Sequence, residues 1–125
     1  GTLGFMLLPD FFETPVGLSV SILGDGNLTD ASKNYSESDY STNIYNSDEF
    51  VLLESAGAIF LPAAGARYDR ILSACGQKGI YWTATTGTTK YAARYMSFNS
   101  TKALVSVNNH AARKYGYSVR LVRDL

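Results

Sequence analysis

Histidine and cysteine each occur once in this sequence, as His110 and Cys75. A histidine base needs a nucleophile and an orienting carboxylate beside it. Asn108 and Asn109 precede His110, and no G-x-S-x-G nucleophile turn occurs anywhere in the chain. One histidine and one cysteine cannot assemble a multi-histidine or multi-cysteine metal site, and a lone cysteine closes no internal disulfide. The side chains that could do chemistry are therefore those of recognition, and they gather in two stretches. The first contains Thr86, Thr88, Lys90 and Tyr91; the second contains Asn108, Asn109, His110, Arg113 and Tyr115. Tyrosine, asparagine and threonine combine flat apolar area with adaptable hydrogen bonds at low entropy cost, as antibody loops do. These residues are the candidate ligand contacts; no catalytic residue, metal or cofactor is expected. The plainer alternative is that both stretches are solvated loops, with His110 a loop histidine and Cys75 a small buried hydrophobe.

Composition narrows the class of partner. The chain has 125 residues, the size of one domain, and 46% hydrophobic content, enough for a core without a disulfide or metal staple. Lysine plus arginine number 11 and aspartate plus glutamate number 11, so there is no basic excess of the kind that tracks phosphates. No nucleic-acid partner is expected, and no direct membrane insertion, because no apolar run approaches ~20 residues. Charge is unevenly placed. Asp25 to Glu54 carries seven acids and one lysine, whereas Arg113 to the end carries three arginines, one lysine and one aspartate. This reads as a solvated surface with local pairs, or as two regions of opposite sign.

The elements that must position the candidates follow from apolar pattern and punctuation. Leu3–Leu8 reads as a strand stopped by Pro9, and Val20–Leu23 as a second short one before the Gly24-Asp25-Gly26 turn. Asn27–Tyr45 is polar and reads as a long surface loop with room for one strand or helical turn in it. Asn46 followed by Glu49 has the form of a capping box, and Phe50, Leu52, Leu53 and Ala56 supply the apolar face of a helix ended by Gly57. Ala58–Leu61 reads as a strand, Arg67–Cys75 as loop or short helix, and Ile80–Ala84 as a strand. Thr85–Thr89 turns. Tyr91–Phe98 alternates, with Ala92, Met96 and Phe98 on one face, Arg94 interrupting them, and Tyr91, Ala93, Tyr95 and Ser97 on the other. Ala103–Val107 and Tyr117–Arg123 complete four closely spaced strands, which implies an antiparallel sheet; Asn108–Lys114 reads as loop.

Four blocks in order resemble a known family: Met6-Leu7-Leu8-Pro9-Asp10, Ala58 to Gly65 (AIFLPAAG), Gly79 to Thr85 (GIYWTAT) and Tyr117 to Asp124 (YSVRLVRD). Together they are similar to the Fibrobacter succinogenes major paralogous domain, found in surface and secreted proteins of gut bacteria related to Bacteroides. The resemblance implies an α+β, C-type-lectin-like fold: a single domain over 1–125, either a compact version or the C-terminal portion of a longer protein, with a twisted antiparallel sheet, one or two helices and long loops. It places Trp82 in the core, although on a surface Trp82 would be a sugar-stacking platform. Arg120 and Arg123 match positions of the family pattern, with a structural carboxylate pair or anion recognition as their two readings. The calcium-holding Glu-Pro-Asn, Gln-Pro-Asp and Trp-Asn-Asp motifs of C-type lectins are missing, as is the cysteine pair of the related formylglycine-generating enzymes.

The expectation that follows is a non-enzymatic, adhesin-like or lectin-like module of an extracellular or cell-surface bacterial protein. Its partner would be a carbohydrate or another protein, held by the loops around 85–91 and 108–115, with the tyrosine-bearing loop 35–45 as a possible contributor. One form of it is a variable domain diversified by a retroelement. The alternative is a structural pilus-tip or surface-assembly module. An enzyme with an unrecognised site is the third reading.

Overall fold

The computed structural model describes residues 1–21, 36–37, 39–104 and 110–121, with 36–37 described by backbone alone. In chain order the elements are β1 (Thr2–Leu7), β2 (Ser36–Glu37), β3 (Ile44–Tyr45), α1 (Ser47–Ser55), β4 (Ile59–Pro62), β5 (Ala66–Tyr68), β6 (Ile71–Ser73), β7 (Lys78–Thr86), β8 (Ala92–Asn99), β9 (Lys102–Leu104) and β10 (His110–Ala112). The molecule is strand-dominated, with several small antiparallel sheets and one nine-residue helix among the described residues. This corrects the α+β, C-type-lectin-like expectation. Only Asn46–Gly57 carries capping and periodicity signals strong enough for a helix, and the other apolar runs are of strand length.

That helix forms as its sequence dictates. The Asn46 side chain accepts from the backbone N–H groups of Asp48 and Glu49, both at 3.0 Å, and the Glu49 carboxylate accepts from the Asn46 N–H at 2.8 Å. Asp48 and Glu49 stand at the positive end of the helix dipole. Gly57, at φ 86°, ends it. Leu53 is fully buried, and Phe50 packs against the same cluster.

β1 is the middle of the fold. It pairs antiparallel with β4 (Phe5 opposite Leu61, Met6 opposite Phe60) and with β3. Alternation sends Met6 and Phe60 toward α1, where they join Tyr45, Leu53 and Ala58. It sends Phe5 and Leu61 the other way, onto Tyr81 of β7 and Phe98 of β8, with Tyr40, Ala63 and Ala103. Phe5 stacks on Phe98 at 5.4 Å. Gly79 is required here: a Cβ at that position would lie 2.0 Å from the Phe98 ring.

The large sheet places β7 on one side of β8 and β9 and β10 end to end on the other, with β2 beyond β9. The alternation read from Tyr91–Phe98 is present: Ala92 and Phe98 are buried on the core side, and Tyr95 lies on the opposite face against Trp82. Trp82 is therefore half-buried on the far side of the sheet from the core, which corrects its assignment to the core.

Other expectations also change. Arg67–Cys75 holds the β5–β6 hairpin, turned through Asp69 at φ 52°, and Cys75 is exposed rather than buried. The strand read at Ile80–Ala84 runs on to Thr86, through a bulge between Trp82 and Thr86. His110–Ala112 is strand rather than loop. The closing segment makes single bridges instead of a ladder: Arg67 to Gly116 antiparallel, and Tyr81 to Ser118 parallel. Its parallel direction departs from the expected all-antiparallel sheet. Val20 and Ser21 are irregular, while 22–23, 105–107 and 122–123, parts of three expected strands, lie outside the described residues.

Candidate functional site

β8 brings the two recognition stretches together. On one side Thr86 pairs with Ala93; on the other Ala111 pairs with the same Ala93, His110 with Arg94, and Ala112 with Ala92. Three further bonds tie the stretches. The Arg113 N–H donates to the Tyr91 carbonyl at 3.0 Å, the Arg113 Nε to the Ala92 carbonyl at 3.0 Å, and the Arg94 Nε to the Thr86 carbonyl at 2.9 Å. Among the described residues, Arg94 Nη1 is buried with no hydrogen-bond partner. Thr86, Thr88, Lys90, Tyr91, His110 and Arg113 are exposed along this rim, and Lys90 Nζ sits 4.9 Å from the Tyr91 ring centroid. Tyr91 is 71% exposed, so its ring is available to a ligand. Asn108 and Asn109 lie outside the described residues.

Tyr115 does not stand on the rim; it enters a second group that the sequence reading missed. Five half-buried rings cover the sheet face opposite the core: Tyr68 of β5, Trp82 of β7, Tyr95 of β8, and Tyr115 and Tyr117 of the closing segment. Tyr117 is central. Its ring lies 4.5 Å from Trp82, 5.3 Å from Tyr95, 5.9 Å from Tyr115 and 6.2 Å from Tyr68. Tyr68 meets Tyr115 edge-on at 5.0 Å. Aromatic pairs in such arrangements contribute about 0.5–1.5 kcal/mol each beyond area burial. The Tyr117 hydroxyl is pushed up from its ordinary value by burial first, then by a hydrogen bond with Tyr68 and by the neighbouring tyrosines. The signal that could have found this group was the alternation itself: with Tyr81 facing the core, Trp82 and its partner Tyr95 must face away.

Backbone bonds hold the closing segment in place. The Trp82 N–H donates to the Ser118 carbonyl at 2.9 Å, and the Ser118 N–H to the Ile80 carbonyl at 3.0 Å. Gly116 exchanges two 2.8 Å bonds with Arg67, and the Arg67 side chain crosses over it, with Nε 3.4 Å from where a Gly116 Cβ would stand. Ser118 thus stands beside Tyr81 and Trp82, while 119–121 are irregular rather than strand.

Concave spaces among the described residues include about 140 Å³ between Lys78, Asn99 and Lys102, and about 460 Å³ between Tyr45, Phe50, Phe60 and Arg120. Among the described residues, no three histidine, cysteine, aspartate or glutamate side chains are grouped to hold a metal. What the arrangement offers chemically is a group of half-buried aromatic rings next to a rim of hydroxyls and cations.

Residues 22–122 match a family described as a domain of unknown function (DUF8237). No curated protein and no solved structure matches the chain. The match spans most of the sequence, including β7, β8, the rim and the aromatic face, and the chain belongs to that family.

Proposed function

We propose that the chain is a non-enzymatic ligand-binding module of a bacterial cell-surface or secreted protein. It takes a carbohydrate or protein ligand on the aromatic face and the adjoining rim. The observation that carries this reading is the group of rings around Tyr117, held half-buried on the outside of the large sheet. Aromatic rings gathered on an outer sheet face rather than in the core are a feature of interaction sites. Tyrosine and tryptophan combine stacking area with a polar tip, the pairing that binding surfaces favour. The surface or secreted setting rests on the four sequence blocks that resemble the Fibrobacter paralogous domain.

The test is binding of the full chain to an array of glycans and candidate proteins, repeated with Trp82→Ala, Tyr91→Ala and Arg113→Ala. Loss in Trp82→Ala, with the melting temperature of the other variants unchanged, supports the face. Binding that survives all three changes removes it.

A second reading, surface assembly, has its own observation. Phe11 and Val16 are fully exposed, and Leu52 on the helix beside them is 48% exposed. Concentration-dependent self-association abolished by Phe11→Ser, with no glycan or protein bound, would favour assembly.

A further inference from the structure

Net charge conceals a separation by sequence. All lysines and arginines except Lys33 and Arg67 fall between Arg70 and Arg123, and that stretch contains no aspartate or glutamate. It supplies β7, β8, β9, β10 and the closing segment, so both the rim and four of the five rings belong to a part of the chain whose only formal charges are positive. Two cations border the aromatic group directly. The Arg67 side chain lies across Gly116, between Tyr115 and Tyr117, and Lys114 Nζ is 5.9 Å from the Tyr115 ring centroid. Both residues are exposed, and among the described residues neither is engaged by a carboxylate. Arg113 stands on the adjoining rim. Asp69, the nearest acid in sequence, occupies the β5–β6 turn.

Building on the ligand-binding reading above, we infer that the occupant of this face is an acidic polysaccharide. Its sugar rings lie against Trp82 and Tyr117, and its carboxylate or sulfate groups meet Arg67 and Lys114. Charge complementarity calls for an anion. The spread of the rings over three strands and the closing segment suits an extended ligand. The ring geometry separates a sugar polymer from single-stranded nucleic acid. Successive bases need a row of presented ring faces, whereas Tyr95 meets Trp82 at 85° and Tyr68 meets Tyr117 at 83°, so much of the ring surface is spent on neighbouring rings. Trp82 and Tyr117 are tilted against each other at 34° rather than set in a row of parallel faces.

The experiment titrates the full chain with polygalacturonate, chondroitin sulfate, neutral dextran, oligothymidylate and polyglutamate at low salt, then at 0.5 M NaCl. One or both acidic polysaccharides are expected to bind at least tenfold more tightly than dextran, with the advantage lost at high salt where exposed charges are screened. Arg67→Gln with Lys114→Gln lowers that affinity by about tenfold, the combined effect expected of two exposed ion pairs, and leaves the melting temperature and any dextran affinity unchanged. Trp82→Ala removes all polysaccharide binding. Equal affinity for dextran and the acidic polymers, still abolished by Trp82→Ala, overturns the charge inference and leaves the ligand-binding reading standing. Tighter binding of oligothymidylate or polyglutamate overturns the polysaccharide class. Binding of no probe overturns the polysaccharide inference and leaves a protein ligand as the form of the reading beneath it; binding indifferent to Trp82→Ala overturns the face itself.

Discussion

Ser118 grips the β7 edge on both sides of Tyr81: its carbonyl accepts from the Trp82 N–H, and its own N–H donates to the Ile80 carbonyl. This single parallel bridge fixes where Tyr115 and Tyr117 stand relative to Trp82. Ser118→Pro removes one of the two bonds and is expected to cost about 1–3 kcal/mol, the range for a buried acceptor left unpaired. The sharper readout is amide exchange. The Trp82 N–H should lose protection in the variant while the β1–β4 amides keep theirs. Equal loss everywhere would mean that the bridge is part of the global fold rather than a local clasp.

Gly79 admits the Phe98 ring into the core, and a methyl group there would lie 2.0 Å from it. Phe98 is only 2% exposed and packed between Phe5 and Tyr81, so the ring shifts only by disturbing those stacks. Gly79→Ala is therefore expected to destabilise the protein by about 1–3 kcal/mol through overpacking, read as a lowered denaturation midpoint at unchanged slope.

The capping box of α1 predicts a smaller effect. Asn46→Ala frees the N–H groups of Asp48 and Glu49 and is expected to cost about 1 kcal/mol. Asn46→Asp, which keeps an acceptor, should cost much less. Equilibrium urea unfolding of both variants distinguishes a lost acceptor from a lost amide.

High pH should unfold the protein through its buried tyrosines. Burial, with a smaller contribution from Glu49, pushes the Tyr45 hydroxyl from 10.0 up to about 12, and burial also raises Tyr81 and Tyr117. A raised folded-state value means that the unfolded chain releases the proton first. The associated stability is intact below about pH 10 and is lost as pH climbs toward about 12. Unfolding free energy measured from pH 8 to 12, with tyrosinate absorbance followed in parallel, should fall over that window. A flat profile would show that these hydroxyls ionise without penalty.

The sequence made some of this plain and hid the rest for physical reasons. Asn46 and Glu49 announce their helix because capping is a contact between residues three apart. The faces of β8 were legible because alternation is local, and Tyr95 was placed correctly opposite Met96 and Phe98. Trp82 was misassigned because size and family position pointed inward, whereas its neighbour Tyr81 had already taken the core side. Tyr81 donates there to the Pro62 carbonyl at 2.8 Å. The β5–β6 hairpin was hidden because Ile71, Leu72 and Ser73 are all exposed and carry no alternation. The union of Thr86 with Ala111 across Ala93, and the parallel approach of Ser118 to Tyr81, join residues far apart in sequence through backbone groups. No side-chain pattern encodes those contacts.

Trp82 is the only tryptophan in the chain and stands inside the proposed binding face, so its fluorescence reports on that face alone. Titrating the protein with a ligand whose affinity is known from calorimetry should shift or quench the Trp82 emission, saturating at the calorimetric midpoint. A ligand that binds by calorimetry while the Trp82 emission stays constant throughout would place the binding surface elsewhere and contradict the account.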